Sequence, residues 1–192
     1  MNMATIRRYL IRILKPLCVY LGRLSYPPHA RLIRASHISE MASVIKAGDV
    51  IVTYSRGELT SYFIEGDFKH AAMYVGAGQV VEAVGRGVLP TVFEDFCASK
   101  DRIAILRPKF CDVGTCKLAA MNATSQIGKP YDYYFELGEE AFYCAELITW
   151  AYTNATVGAS PFIKREVMGA TTVLPSDFYD AKSKFQLIIE KP

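Results

Sequence analysis

Tyr143-Cys144-Ala145-Glu146-Leu147 is a stretch that places a cysteine on the first turn of a predicted buried helix. An apolar face at helical spacing follows it, made of Leu147, Ile148, Ala151 and Tyr152. Free backbone N–H groups and the positive end of the helix dipole favour a thiolate at such a position. Cys144 therefore suits a nucleophile, although a buried structural cysteine fits the same pattern. A nucleophile also needs a base, which another part of the chain must supply.

The candidate base is a histidine at the start of a predicted strand. This strand, His70–Val75, is followed by the hairpin partner Gln79–Val84, and the three residues between them, Gly76-Ala77-Gly78, are predicted as the loop. A loop of three residues sets Ala72 opposite Glu82. Glu82 is then a diagonal neighbour of His70 on one face, about 7–8 Å away at the backbone. A loop of two residues would turn Glu82 to the other face.

A carboxylate beside an imidazole orients the ring and stabilises its charged form. The chain has three histidines, and His29 and His37 both fall within the first 39 residues. A base for Cys144 inside the predicted domain must therefore be His70. A plainer interpretation stays open from this pattern alone, in which His70 ends a strand and Glu82 is a solvated surface residue.

The composition is that of a globular protein. A chain of 192 residues, of which 51% are hydrophobic, can bury a full core as one domain with an extra segment. The net charge of +3 does not indicate nucleic-acid binding. The basic residues are concentrated in the first 35 positions: Arg7, Arg8, Arg12, Lys15, Arg23, Arg31 and Arg34. We divide the chain into an N-terminal segment, residues 1–39, and a catalytic domain, residues 40–192.

The N-terminal segment has the pattern of a basic amphipathic helix, interrupted at Pro16. Its apolar side consists of Ile6, Tyr9, Leu10, Ile13, Leu14, Leu17 and Leu21. Three roles are open: binding to an anionic membrane surface, targeting, or packing against the domain or a protein partner. Arg12, Lys15 and Pro16 interrupt the apolar run that a secretory signal requires. No stretch reaches the ~18 apolar residues of a membrane span. Tyr26-Pro27-Pro28-His29 is predicted to be a linker.

The five cysteines show no repeated spacing, which argues against a disulfide framework. Cys111 and Cys116 either pair or are both free. The sequence contains no Cys-x-x-Cys and no His-x-x-x-His pair, so we predict neither a metal site nor a cofactor. The other predicted helices are Glu40–Lys46, Thr91–Phe96, Lys117–Ile127 and one beginning at Pro175. The other predicted strands are Val50–Tyr54, Ile103–Arg107 and Phe185–Ile189.

Taken in order, these segments resemble the circularly permuted papain-like (NlpC-type) enzymes of the YiiX/YaeF-like group over about residues 40–190. The matching stretches are Gly48-Asp49-Val50-Ile51, His70-Ala71-Ala72-Met73, Val81-Glu82-Ala83-Val84-Gly85, Gly128-Lys129-Pro130-Tyr131-Asp132, Tyr143-Cys144-Ala145-Glu146-Leu147 and Pro175-Ser176-Asp177-Phe178. The resemblance implies an α+β, circularly permuted papain-like fold, with an antiparallel sheet packed against the cysteine helix. It further implies Cys144 as the nucleophile, His70 as the base and Glu82 as the orienting third residue.

The resemblance implies a thiol hydrolase that cleaves an amide bond through a cysteine acyl-enzyme. We expect the protein to be a peptidoglycan amidase or endopeptidase, and its substrate to be a peptide or acyl compound derived from the cell wall. One alternative is a lipid acyl hydrolase or acyltransferase at a membrane surface. Another is a non-catalytic structural or binding protein that retains the fold. Tyr143 and Tyr54 are predicted to contact the substrate.

Three acidic residues precede the cysteine helix: Glu136, Glu139 and Glu140. They are either solvated or form a rim that selects a cationic substrate group. We expect a bacterial or phage-encoded protein, soluble or peripherally membrane-associated, that acts at the cell envelope. Residues 1–39 would then provide the contact with a membrane surface or a protein partner.

Overall fold

A computed structural model describes residues 30–58, 64–134, 138–156, 162, 165–167 and 170–192. The strands of this part are β1 (Val50–Tyr54), β2 (His70–Gly76), β3 (Gln79–Val84), β4 (Gly87–Val92), β5 (Arg102–Pro108), β6 (Arg165–Val167), β7 (Ala170–Thr172) and β8 (Phe185–Lys191). Its helices are α1 (Ala35–Val44), α2 (Phe93–Ala98), α3 (Val113–Ser125), α4 (Cys144–Ala155) and α5 (Pro175–Asp180). The predicted N-terminal helix and the Pro27-Pro28 linker lie outside the described residues.

A six-stranded sheet in the order β4-β3-β2-β1-β5-β8 forms the centre of the domain, and every neighbouring pair in it is antiparallel. β6 and β7 form a separate two-stranded sheet. Val50, Ile51 and Val52 are all fully buried, although they alternate between the two faces of β1. The central strand is therefore covered on both sides, which explains its continuous apolar sequence.

Helices α3 and α4 contribute to the core on one face of the sheet, where Ala120 and Leu147 share a cluster with Val50 and Val52. On the other face, Met41 of α1 and Phe96 of α2 pack with Ile51. The prediction of an α+β fold with an antiparallel sheet against the cysteine helix is confirmed. This layering brings the start of α4 next to the start of β2.

The predicted helix Thr91–Phe96 is partly wrong. The chain first forms the edge strand β4, which pairs with β3 along its whole length, and turns into α2 only at Phe93. Pro90 is tolerated within β4 because an edge strand leaves one side of its backbone unpaired. The short hairpin of β6 and β7 was not predicted from the sequence. The remaining predicted strands are present, with ends that differ by up to two residues.

Helix α1 starts earlier than predicted, at Ala35 rather than at Glu40. The predicted domain boundary after residue 39 therefore falls inside this helix. Before the helix, Ile33 lies in the core. Arg31 Nη1 donates a 2.8 Å hydrogen bond to the buried carboxylate of Asp101. Residues 30–39 thus pack with the domain, while the division of the chain into two functional units stays a prediction.

Candidate active site

The turn between β2 and β3 differs from the predicted three-residue loop. The strands are closed by the two residues Ala77 and Gly78, whose φ angles are 51° and 71°. Positive φ at both central positions is what a type I′ turn requires, and its twist matches that of the flanking strands. The prediction of a three-residue loop is wrong. Taken alone, a two-residue turn would have moved Glu82 to the opposite face from His70.

A β-bulge restores the predicted register. The pairing shifts between Tyr74 and Gly76, so that Val75 is the extra residue on β2. Beyond the bulge, Ala72 lies opposite Glu82, as predicted. Because side chains alternate along a strand, Glu82 and His70 then share one face of the sheet.

The His70 and Glu82 side chains form a close pair. His70 Nε2 lies 2.8 Å from Glu82 Oε2, and both side chains are largely buried. Thr91 Oγ1 donates a 2.7 Å hydrogen bond to the other carboxylate oxygen, Glu82 Oε1. Burial alone would raise the pKa of Glu82. His70, together with Lys100 and the Thr91 bond, lowers that pKa to about 2 instead. Glu82 is therefore a carboxylate at neutral pH.

Cys144 is the first residue of α4, and its backbone follows the extended N-cap residue Tyr143. The residue is 5% exposed. Burial opposes ionisation of the thiol, but hydrogen bonding to His70 and its positive charge lower the pKa of Cys144 below the ordinary 9.0. Hydrogen bonds from the backbone N–H groups of Ala71 and Ala145 act in the same direction. The helix start and the β2 strand thus stabilise a thiolate together.

His70 responds in the opposite direction. Burial alone would lower the pKa of its imidazole, whereas hydrogen bonding to Cys144 and Glu82 and their negative charges raise it to about 9 from the ordinary 6.5. Since Nε2 faces Glu82, the other ring nitrogen, Nδ1, is the one available to the thiol. The three groups can therefore hold a thiolate–imidazolium pair whose positive member is stabilised by a carboxylate.

Three residues around His70 were not assigned to the site from the sequence. Thr91 holds Glu82, the Phe96 ring lies 6.2 Å from the His70 ring, and Lys100 Nζ lies 5.1 Å from the Phe96 ring centroid. Thr91 and Phe96 belong to the segment from β4 to the end of α2, where the prediction of secondary structure was partly wrong, and Lys100 follows that helix. With β4 recognised as a strand, the pairing of Val80 with Thr91 would have placed Thr91 beside Glu82.

The two tyrosines predicted to bind substrate have different environments. Tyr143 is buried, and its hydroxyl accepts hydrogen bonds from Thr172 Oγ1 at 2.6 Å and from the Val173 N–H at 3.1 Å. Tyr54 is half-buried at the end of β1. Its neighbour Thr53, opposite His70 in the sheet, has a buried hydroxyl without a hydrogen-bond partner among the described residues. The substrate-binding roles of Tyr143 and Tyr54 stay predictions.

A second buried carboxyl group lies one turn into the cysteine helix. Glu146 Oε1 accepts a 2.7 Å hydrogen bond from the Gly138 N–H, and Oε2 accepts one of 3.3 Å from the Tyr143 N–H. Burial raises the pKa of Glu146 to about 8 although these N–H groups oppose the shift, and the charge of Asp132 adds to the increase. Glu146 thus ties the segment before Cys144 to the helix.

Of the acidic residues before the helix, Glu139 and Glu140 are exposed. Glu139 Oε1 accepts a 3.3 Å hydrogen bond from Trp150 Nε1 on α4. Glu136 lies outside the described residues. Within the described part of the chain, no group of three or more His, Cys, Asp or Glu side chains is arranged to hold a metal ion. None of the helices described here has the length and apolar character to cross a membrane.

Comparison with known proteins identifies a family and a similar structure. A family model described as permuted papain-like amidase enzyme, YaeF/YiiX, C92 family, matches residues 44–188. The crystal structure of metalloprotein YiiX from Escherichia coli O157:H7 is similar to this one, with a TM-score of 0.63 over 76% of this chain and 97% of that chain. The two sequences are 21% identical. That likeness shows a shared fold. A search of curated protein sequences finds no match.

Proposed function

Because the chain belongs to the permuted papain-like amidase family of YaeF/YiiX type, a family of cysteine peptidases and amidases, we propose that it cleaves an amide bond through an acyl-enzyme on Cys144. The observation that carries this proposal is the contact network of Cys144, His70 and Glu82. In it the thiol has a lowered pKa and the imidazole a raised one. A structural cysteine in an apolar core would show the opposite shift, as buried Cys97 does with a pKa of about 12.

In the first half of the reaction, His70 takes the Cys144 proton and the thiolate attacks the carbonyl carbon of the substrate. The negative charge that develops on the carbonyl oxygen requires donors, and the Cys144 backbone N–H at the helix start is well suited to this role. The imidazolium then gives its proton to the amide nitrogen. The C–N bond breaks, an amine leaves, and a thioester remains on Cys144.

In the second half, His70 removes a proton from water and the resulting hydroxide attacks the thioester carbonyl. The C–S bond breaks, a carboxylic acid leaves, and the proton returns to the thiol. Glu82 carries out no proton transfer in this scheme. It holds the ring with Nδ1 towards the thiol and stabilises the imidazolium through its 2.8 Å contact with Nε2.

The substrate we propose is a peptide of the bacterial cell wall. Exposed Glu139 and Glu140 precede the cysteine helix, and carboxylates at this position suit the amino group of a diamino-acid side chain. The protein would then act at the cell envelope as a peptidoglycan amidase or endopeptidase.

A lipid acyl amide or ester is the second candidate substrate. It is favoured by apolar side chains on the outer surface of α3, where Val113 and Met121 are 70% and 66% exposed beside Lys117. The basic amphipathic pattern of residues 1–39 agrees with a membrane surface. In this case the same thioester chemistry would act on a lipid acyl group.

The test is digestion of purified peptidoglycan and of phospholipid vesicles, followed by mass spectrometry of the products. We expect new termini in cell-wall peptides with the wild-type protein. Cys144→Ala and His70→Ala should each lose at least about 10³-fold in rate. Cys111→Ser, at a half-buried cysteine outside the network, should stay active. Turnover by Cys144→Ala at the wild-type rate would refute the proposed nucleophile, and release of acyl chains alone would support the lipid alternative.

A thiol-reactive probe at mildly acidic pH provides an independent check. Cys144 should be labelled first, because its pKa is below the ordinary 9.0. Uniform labelling of the five cysteines would favour a non-catalytic binding protein.

A further inference from the structure

Two cysteines outside the candidate active site lie side by side. Cys111 Sγ and Cys116 Sγ are 2.7 Å apart, and both residues are free thiols that are half-buried. A disulfide bond has an S–S distance of about 2.05 Å, so small side-chain rotations would bring the sulfur atoms to bonding distance. Both thiols are also accessible to small reagents, whereas Cys97 is fully buried.

The backbone holds these two thiols together at the start of α3. Asp112, between them, is the N-cap residue, and its Oδ1 accepts a 2.7 Å hydrogen bond from the Thr115 N–H. The Cys116 N–H donates a 3.0 Å hydrogen bond to the Asp112 carbonyl. Cys111 therefore precedes the cap and Cys116 lies in the first turn. Their spacing results from the capped helix end rather than from a chance rotamer.

Cys116 is also fixed from the side of the core. A Cβ atom on Gly48 would lie 2.6 Å from the Cys116 carbonyl oxygen, which shows how closely the two backbones approach. The Gly48 carbonyl in turn accepts a hydrogen bond from the hydroxyl of Tyr152 on the cysteine helix. On the other side, the ring of Phe110 contacts that of Tyr152, with centroids 5.3 Å apart. The segment that carries both thiols is thus anchored against α4.

Either of the two thiols can donate the hydrogen bond between them. Burial, followed by the hydrogen bond to Cys116, raises the pKa of Cys111 well above the ordinary 9.0. In thiol–disulfide exchange the attacking species is a thiolate, and the neighbouring thiol then resolves the mixed disulfide.

We propose that Cys111 and Cys116 form a dithiol site that undergoes exchange with small-molecule disulfides and closes to an intramolecular disulfide. The thiolate of one cysteine attacks one sulfur of the small disulfide, which forms a mixed disulfide and releases one small thiol. The other cysteine then loses its proton to solvent and attacks the sulfur of the first, which releases the second thiol. The protein loses two electrons and two protons, and the small disulfide takes them up.

The disulfide would close a short ring across the N-terminal end of α3. It restricts the unfolded chain and adds a covalent constraint beside Tyr152. Its two cysteines make none of the described contacts of His70 or Glu82. We expect the oxidised protein to melt about 4–8 °C higher than the reduced one. We also expect it to keep its hydrolytic activity.

The experiment uses the full chain with Cys18→Ser and Cys144→Ser, incubated with oxidised glutathione, alkylated and mapped by mass spectrometry. We expect a disulfide between Cys111 and Cys116, with the mass of two hydrogen atoms lost and Cys97 still alkylated after denaturation. Adding either Cys111→Ser or Cys116→Ser should prevent this disulfide and leave a lasting glutathione adduct on the cysteine that remains.

Alkylation of both thiols after oxidation would overturn the proposal, and so would lasting glutathione adducts in the protein that keeps both cysteines. Phenylarsine oxide, which bridges two adjacent thiols, tests the same site in the wild-type protein. It should bind across the Cys111–Cys116 peptide, and binding elsewhere alone would count against the site. Because the exchange is measured without Cys144, its result does not depend on the proposed hydrolysis.

Discussion

The His70 imidazole and the Glu82 carboxylate meet at 2.8 Å because one extra residue, Val75, bulges out of the hairpin between them. The two-residue turn gives the hairpin its favourable twist, and the bulge corrects the register that this turn would otherwise impose. The pair is therefore a product of two compensating local features. Its raised and lowered pKa values lead to the first prediction.

Glu82→Gln should reduce the rate of hydrolysis by roughly 10²-fold, less than loss of Cys144, because the variant loses orientation and charge but keeps the proposed nucleophile and base. Glu82 helps to raise the pKa of His70 to about 9. Without this charge, the alkaline limb of the kcat/KM profile should move to lower pH. The profile is measured with the wild type and with Glu94→Gln, at an exposed carboxylate on α2, as the control. An unchanged alkaline limb would contradict the role of Glu82.

Thr91→Val should weaken the site through Glu82, since the variant keeps the side-chain shape but loses the 2.7 Å hydrogen bond to Oε1. We expect the transition state to lose about 1 kcal/mol of stabilisation, which would appear as a several-fold lower kcat with little change in KM. Thr53→Val is the matched control, because the Thr53 hydroxyl is buried without a partner among the described residues. That variant should be as stable as the wild type or more stable. An equal decrease in kcat in both variants would mean that the hydrogen bond from Thr91 to Glu82 has no specific effect.

Glu146 should make stability fall as pH rises. Its pKa is about 8 in the folded protein and 4.5 as the ordinary value, so the folded state binds more protons between these two pH values. The stabilising contribution is fully present below about pH 4.5, declines as pH rises, and is absent above about pH 8. We expect Tm to fall between pH 5 and 8, and Glu146→Gln to show a smaller decrease.

Glu140→Gln, at an exposed acidic residue before the same helix, provides the control for this pH series. It should follow the wild-type curve. His70 contributes in the same direction at higher pH, since its pKa is raised from 6.5 to about 9. For this reason the comparison between variants is made below pH 6.5, where the His70 contribution is constant. Parallel curves of Tm against pH for Glu146→Gln and the wild type would show that Glu146 is not the source of this pH dependence.

Gly48→Ala should destabilise the fold strongly. Gly48 has φ of 91°, and an added Cβ would lie 2.6 Å from the Cys116 carbonyl oxygen. Conformational strain and the clash together should cost about 2–5 kcal/mol. Gly78→Ala isolates the first effect, because Gly78 has φ of 71° but no atom within 4 Å of the added Cβ. It should cost only about 1–2 kcal/mol. Urea denaturation of both variants measures the difference in their free energies of unfolding. This difference should disappear if the close approach to Cys116 is unimportant.

Much of this protein is determined locally by its sequence. Apolar runs such as Val50–Val52 have the pattern of buried strands, and the helical spacing after Cys144 has that of a helix packed on a sheet. The candidate site also followed from residue types, because only one histidine lies in the predicted domain and a carboxylate on its face can orient the ring. These inferences needed no knowledge of distant contacts. The predicted cysteine helix and strand β2 are both present in the structure.

The tertiary structure decided what depends on pairing between separated segments. A single residue of register places a side chain on one face or the other, and the sequence could not show that a bulge at Val75 compensates for the tighter turn. The pairing of β4 with β3 brings Thr91 to Glu82, and the capped start of α3 brings Cys111 to Cys116. The shifted pKa values of Cys144 and His70 likewise arise only when the helix start brings the thiol to the imidazole, because their hydrogen bond and opposite charges outweigh burial, which acts in the opposite direction on both groups.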